Sequence, residues 1–190
     1  MQALLVIDMQ QGFADSRWGR RNNPFAEARA LQVLEAWRRT GRPVAIVRHD
    51  STDAGSPLRP DRPGNAFLPG FAPNGGDWLI AKTVNSAFIG TPLELRLREA
   101  GVTAVTLFGL TTDQCVSTTA RMAANLGFTV TVVGDACACF DQIAPDGRPV
   151  AADLIHLAHL TTLNTEFGRV VLAEDLIQSL ESLTCAPSVC

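Results

Sequence analysis

The sequence predicts a single α/β domain built on a doubly wound, six-stranded parallel sheet with helices on both faces. Three observations carry that expectation. Continuous apolar runs recur along the chain, as strands buried on both faces of a parallel sheet require. Stretches with helical spacing, or long crossovers, separate those runs in the order β-α-β-loop-β-α-β-α-β-α-β-α. The chain has 190 residues, 46% of them hydrophobic, which suits one ordinary domain with a large core. The domain is expected over residues 1–182, with a Pro- and Ser-containing tail at 183–190.

The first strand is the run at 3–7, and it stops at Asp8. A carboxylate at the end of a central buried strand is costly unless paired, so Asp8 is a site residue or a turn cap. Asn23 and Pro24 read as the N-cap and first position of a helix whose apolar face is Leu31, Leu34 and Trp37, ended by Gly41. The run PVAIVRH then delivers His49 and Asp50. Residues 51–77, rich in Pro, Gly and Asp, form an irregular segment of a length that more often covers a site than idles. WLIA carries Lys82 at its end. Thr91-Pro92-Leu93-Glu94 is a capping-box helix start. The next strand, TAVTLFG, leads through a polar turn to Cys115, placed in the first turn of a helix with Thr112 or Asp113 as its N-cap. FTVTVVG delivers Asp135. A helix over 150–163, the strand RVVLA and a terminal helix complete the chain.

Composition excludes several function classes. A formal net charge of −3 without a long basic block argues against a nucleic-acid or anionic-membrane partner. The N-terminus enters its first strand directly, and no apolar run approaches a membrane span, so neither a secretory leader nor an anchor is expected. Five cysteines without a regular framework fit free thiols in a reducing compartment, hence the cytoplasm. Cys137 and Cys139 read as buried filler, and Cys185 and Cys190 fall in the tail. Asp153, His156 and His159 share one helix face, read as a partly exposed surface rather than a metal site. No GxGxxG follows a strand and no P-loop occurs, which speaks against a nucleotide-binding protein. No cofactor and no metal are expected.

In doubly wound sheets ligands bind at the carboxyl ends of the strands, where the strand order reverses. Asp8, His49, Lys82, Cys115 and Asp135 all fall at or just beyond such ends. Asp8, Lys82 and Cys115 make a coherent acyl-transfer set. A helix N-terminus and the Lys82 charge lower the thiol pKa, and Asp8 takes the thiol proton and returns it to a leaving group. Turn N–H groups near Thr111 and Cys115 are the natural oxyanion donors. The other reading of Cys115 is a small buried residue filling a helix–sheet interface. The expected pocket walls are Phe13, Trp18, His49, Phe67, Trp78 and Phe88, with Thr111 and Thr112 near the reacting carbon, around a small neutral or aromatic acyl group.

The segments ALLVIDMQ, AKTVNSAFIGTPLELRLREAGV, GLTTDQCVSTTARMAANLGF and VTVVGDAC resemble the isochorismatase-like cysteine hydrolases in motif and order, from about residue 3 to residue 175. The resemblance implies a sheet of order 3-2-1-4-5-6 and a catalytic triad of Asp8, Lys82 and Cys115. It also implies a non-proline cis peptide at Leu110–Thr111, turning the Thr111 N–H toward the oxyanion. The implied reaction is hydrolysis of an amide- or ureido-type C–N bond of a small molecule through a Cys115 thioester. A homo-oligomer, dimer or tetramer, is implied in the same way. The nicotinamidase branch of this family carries an Asp-x-His metal element after the second strand. Here Ser51 and Thr52 follow Asp50, and no His lies between His49 and His156, so that metal site and nicotinamide as substrate are not expected. Two alternatives stay open: vinyl-ether hydrolysis of the isochorismatase type, which does not need the cysteine, and a non-catalytic oligomeric binding protein of the same fold.

Overall fold

The computed structural model describes residues 1–184. In chain order the elements are β1 (Gln2–Ile7), α1 (Ala26–Arg38), β2 (Val44–His49), β3 (Trp78–Lys82), α2 (Leu93–Glu99), β4 (Ala104–Leu110), α3 (Ser117–Asn125), β5 (Thr129–Ala138), the two-residue strands β6 (Gln142–Ile143) and β7 (Pro149–Val150), α4 (Ala152–Thr162), β8 (Arg169–Val171) and α5 (Ala173–Thr184). The main sheet has the order β3-β2-β1-β4-β5-β8, with every pairing parallel. That is the expected 3-2-1-4-5-6 arrangement, its sixth strand being β8 because β6 and β7 form a separate antiparallel ribbon. Helix α5 runs to Thr184, past the boundary expected at 182. The rest of the expected tail, Cys185 and Cys190 included, lies outside the described residues.

The sheet core follows from the apolar runs. Ala3 through Ile7 are completely buried, because β1 lies between β2 and β4 with helices over it. Helix α1 packs on β1, β4, β5 and α5, burying Val33, Leu34 and Trp37, and the Trp37 indole N–H donates to the Pro43 carbonyl at 3.2 Å. Leu31 is only partly buried against this core. No described helix is long and apolar enough to cross a membrane.

Register places the site. Ile7 lies opposite Val47 of β2 and Gly109 of β4, and His49 lies opposite Lys82. The strand order reverses between β1 and β4, so Asp8, His49, Lys82 and the turn after β4 gather at one edge.

Several element starts differ from the sequence reading, each because a side chain is used elsewhere. Asn23 does not cap α1. Its φ is +45°, and its amide donates to the Asp135 and Cys137 carbonyls at 2.9 and 2.7 Å, so the helix begins at Ala26. Helix α2 shows half of the capping box: the Thr91 hydroxyl accepts from Leu93 N at 3.2 Å, while Glu94 pairs with Arg98. Neither Thr112 nor Asp113 caps the cysteine helix. The Thr112 hydroxyl bonds to His156 Nδ1 at 2.8 Å, and the Asp113 carboxylate accepts from the Gln142 amide at 2.5 Å. Asp135 does not end its strand. The β4–β5 register shifts between Leu107 and Gly109, β5 runs on to Ala138, and the Asp135 carboxylate accepts from Ala173 N at the start of α5.

Candidate active site

The strand ends deliver three side chains to one buried point. Asp8 follows β1 with a φ of +51° and is fully buried, its N–H held by the Val47 carbonyl at 3.0 Å. Lys82, the last residue of β3, is 1% exposed. Cys115 sits in a wide helical turn, Thr112–Val116, between β4 and α3, and the Thr111 carbonyl accepts from both Gln114 N and Val116 N. The Leu110–Thr111 peptide that enters this turn is cis.

Lys82 Nζ is the hub. It lies 2.6 Å from Asp8 Oδ2, 2.9 Å from His49 Nδ1 and 3.3 Å from Cys115 Sγ. A lysine buried this deeply is tolerable only with a paired carboxylate. Burial pushes the Asp8 carboxyl above its usual range, while the Lys82 ammonium pulls the other way. Burial also pushes the Cys115 thiol up, reinforced by the Asp8 charge and opposed by Lys82. The sequence expectation of a depressed thiol pKa is therefore corrected. At the thiol, desolvation and the Asp8 charge outweigh the ammonium, which favours the neutral form. His49 is brought down to about 4 by burial and by Lys82, and is a neutral imidazole at pH 7.

This set does not suit a metal ion. A donor atom each from Asp8, His49 and Cys115 lies within 4.8 Å of the others, yet the Lys82 ammonium contacts all three and takes the place of a cation. Asp50, the acid a nicotinamidase-type metal element would need, is engaged by the Arg48 guanidinium at 2.8 and 3.0 Å and by the Asn65 amide.

Cys115 opens on a cavity of about 390 Å³. One part of its wall is aromatic: Phe13, Trp18 and Phe140, with ring centroids 5.6 to 6.3 Å apart. Thr111 and His49 also line it, together with polar groups that include Asn85, Gln114 and Gln142. The lining is more polar than the sequence reading expected, because the irregular segment after β2 contributes Ser51, Asp53 and Ser56.

Of the expected walls, Phe13, Trp18, His49 and Thr111 line this cavity, and four residues do not. Trp78 stands at the amino end of β3, beside Arg38 and Pro43, whereas the cavity is at the carboxyl edge. Phe67 bridges to Gln10 and packs against the core. Phe88 is buried against Phe128, with centroids 6.0 Å apart. Thr112 is fully buried under His156. Among the residues the sequence reading missed, Phe140 has no local signal, since only the extension of β5 carries it to the cavity. Gln10 had one. It is a polar residue three positions past a buried strand, and its fully buried amide accepts from His49 N at 2.8 Å and donates to the Asn65 carbonyl at 2.9 Å.

Comparison with known proteins identifies the family and the fold. The isochorismatase-domain family model matches residues 2–175. The uncharacterized isochorismatase family protein YrdC of Bacillus subtilis is 40% identical over 176 residues, covering 93% of this chain and 94% of that protein. Nicotinamidase 3 of Arabidopsis thaliana is 31% identical, covering 90% and 84%. A putative hydrolase of the isochorismatase family from Chromobacterium violaceum superposes with a TM-score of 0.91 at 43% identity, covering 95% of this chain and 94% of that one. The N-carbamoylsarcosine amidase of Thermoplasma acidophilum superposes with a TM-score of 0.74 at 26% identity, covering 91% and 96%. With the family model spanning residues 2–175 and the whole fold superposing on a member of the family, this chain belongs to the isochorismatase family of hydrolases.

Proposed function

We propose that this protein is a metal-independent cysteine hydrolase that cleaves an amide- or ureido-type C–N bond of a small molecule through a thioester on Cys115. The observation that carries the reading is the buried contact set of Asp8, Lys82 and Cys115 opening on a partly aromatic cavity. Relatives named as a nicotinamidase and an N-carbamoylsarcosine amidase support the bond class.

The chemistry runs in two halves. As Cys115 Sγ attacks the carbonyl carbon, its proton passes to Asp8, whose raised proton affinity suits a group that must accept and then release it. The Thr111 and Cys115 backbone N–H groups serve the oxyanion. When the tetrahedral intermediate collapses, the C–N bond breaks and the leaving nitrogen takes the proton from Asp8, leaving a thioester. Water then attacks the thioester carbon and gives a proton to Asp8. Expulsion of the sulfur returns that proton to Cys115, and the acid product leaves. Lys82 counters the effect of burial on the Asp8 carboxylate and offsets the negative charge that develops on sulfur. Buried free thiols at Cys115, Cys137 and Cys139 support a reducing, cytoplasmic setting for this chemistry.

The test is mass spectrometry of the protein incubated with a panel of small amides and ureides, beside turnover assays of the wild type and Cys115→Ser. An acyl adduct on wild-type Cys115, and loss of turnover by about a thousandfold or more in the variant, is the expected result. Unchanged turnover in Cys115→Ser would remove the nucleophile and favour ether hydrolysis.

A further inference from the structure

We propose that His49 is a fourth working member of this site: a neutral imidazole held by Lys82 in the Nε2–H tautomer, donating that N–H to an acceptor atom of the substrate next to the reacting carbon. The inference deepens the hydrolase reading above and rests on it for its substrate half. Its tautomer half stands alone.

The argument begins with hydrogen counting. An ammonium has three N–H donors and no acceptor. Those of Lys82 face Asp8 Oδ2, His49 Nδ1 and Cys115 Sγ, at 2.6, 2.9 and 3.3 Å. At 2.9 Å from a group that can only donate, Nδ1 must be the bare nitrogen, so the imidazole proton is on Nε2. Among the described residues the second ring nitrogen has no hydrogen-bond partner, and the His49 side chain lines the cavity beside Cys115. The His49 backbone is fixed on both sides, its N–H by the Gln10 amide oxygen and its carbonyl by the Gln10 and Asn65 amides. The ring is thus a fixed donor facing the cavity, the preorganised kind of group that a site aims at substrate polarity. A second consequence concerns substrate choice. A compound with an acceptor, such as a second carbonyl oxygen or a ring nitrogen, adjacent to the scissile carbonyl gains a partner here, and its analogue without one leaves an N–H unpaired.

Two measurements test this. In protein with ¹⁵N-labelled histidine, long-range proton–nitrogen spectra distinguish the tautomers, and the His49→Asn variant assigns its signal among the three histidines. One bare Nδ1 and one protonated Nε2 at about neutral pH is expected. An Nδ1–H tautomer or an imidazolium overturns the proposal. The second measurement uses two alkylating probes on Cys115: iodoacetamide, with a carbonyl beside the reacting carbon, and methyl iodide, without one. Asparagine at 49 keeps an acceptor for Lys82 but lacks the distal N–H. It should slow iodoacetamide by about 5- to 10-fold and leave methyl iodide within about twofold. Equal slowing of both probes, or of neither, overturns the donor role and leaves His49 as a mere support of Lys82 or as bystander. A Cys115 inert to both probes in the wild type would instead strike at the nucleophile assignment, while the spectra still decide the tautomer.

Discussion

Replacing Asp8 by Asn would leave the Lys82 ammonium facing an amide in a pocket that water does not reach, since both side chains are completely buried. Breaking a buried pair from one side costs about 3–5 kcal/mol, because the remaining charge is uncompensated. Asp8→Asn should therefore lower the unfolding free energy by that amount as well as abolish turnover. Lys82→Met should cost less than Asp8→Asn, because Asp8 is already pushed toward its protonated form by burial and can neutralise itself. In the double variant both charges are gone, and it should be more stable than Asp8→Asn alone. Chemical denaturation of the four proteins in one cycle checks this, and simple additivity would mean that the pair is not coupled.

At the scale of elements, the site depends on how closely two strands approach and how one loop is anchored. Gly109 has a φ of +138°, and a Cβ there would collide with the Ile7 carbonyl across the β1–β4 pairing. Gly109→Ala must distort the two strand ends that carry Asp8 and the cysteine turn. Loss of more than about 4 kcal/mol, or failure to fold, is expected in thermal unfolding. The segment after β2 is held differently, through the Gln10 and Asn65 amides, and Asn65 donates to the carbonyls of His49 and Leu58 and to the Asp50 carboxylate. Gln10→Ala should cost about 2–4 kcal/mol, as three partner groups lose their bonds to a fully buried amide, and should speed proteolysis within residues 51–65. Equal cleavage rates would show that the loop is anchored by its own packing. These anchors explain what could be read in advance. Asp8, His49 and Lys82 each close an apolar run, so their convergence follows from parallel topology alone. Phe140 and Gln142 reach the cavity only through a register shift in β5, which no local pattern encodes. Trp78 is expected among the cavity walls as an apolar residue closing the irregular segment, yet its position at the start of β3 sets it at the opposite edge.

For the molecule as a whole, the neutral His49 links the site to acid stability. In the unfolded chain a histidine titrates near 6.5, whereas in the fold burial and Lys82 bring His49 down to about 4. Between those values the unfolded state binds a proton that the folded state refuses, so stability falls as pH drops through this window and the loss is complete below about 4. His156, half-buried against the cysteine turn, is shifted in the same direction and adds to the slope. Asp8 works oppositely: its raised pKa means the fold holds a proton that the unfolded chain has released, so its contribution weakens as pH rises above the ordinary carboxyl range. Comparing wild type with His49→Asn isolates one group from this background. Denaturant midpoints at about pH 7, 5.5 and 4.5 should fall more steeply in the wild type than in the variant. Parallel curves would mean that His49 takes up its proton in the folded state as readily as in the unfolded one, and that its contact with Lys82 does not hold the ring neutral.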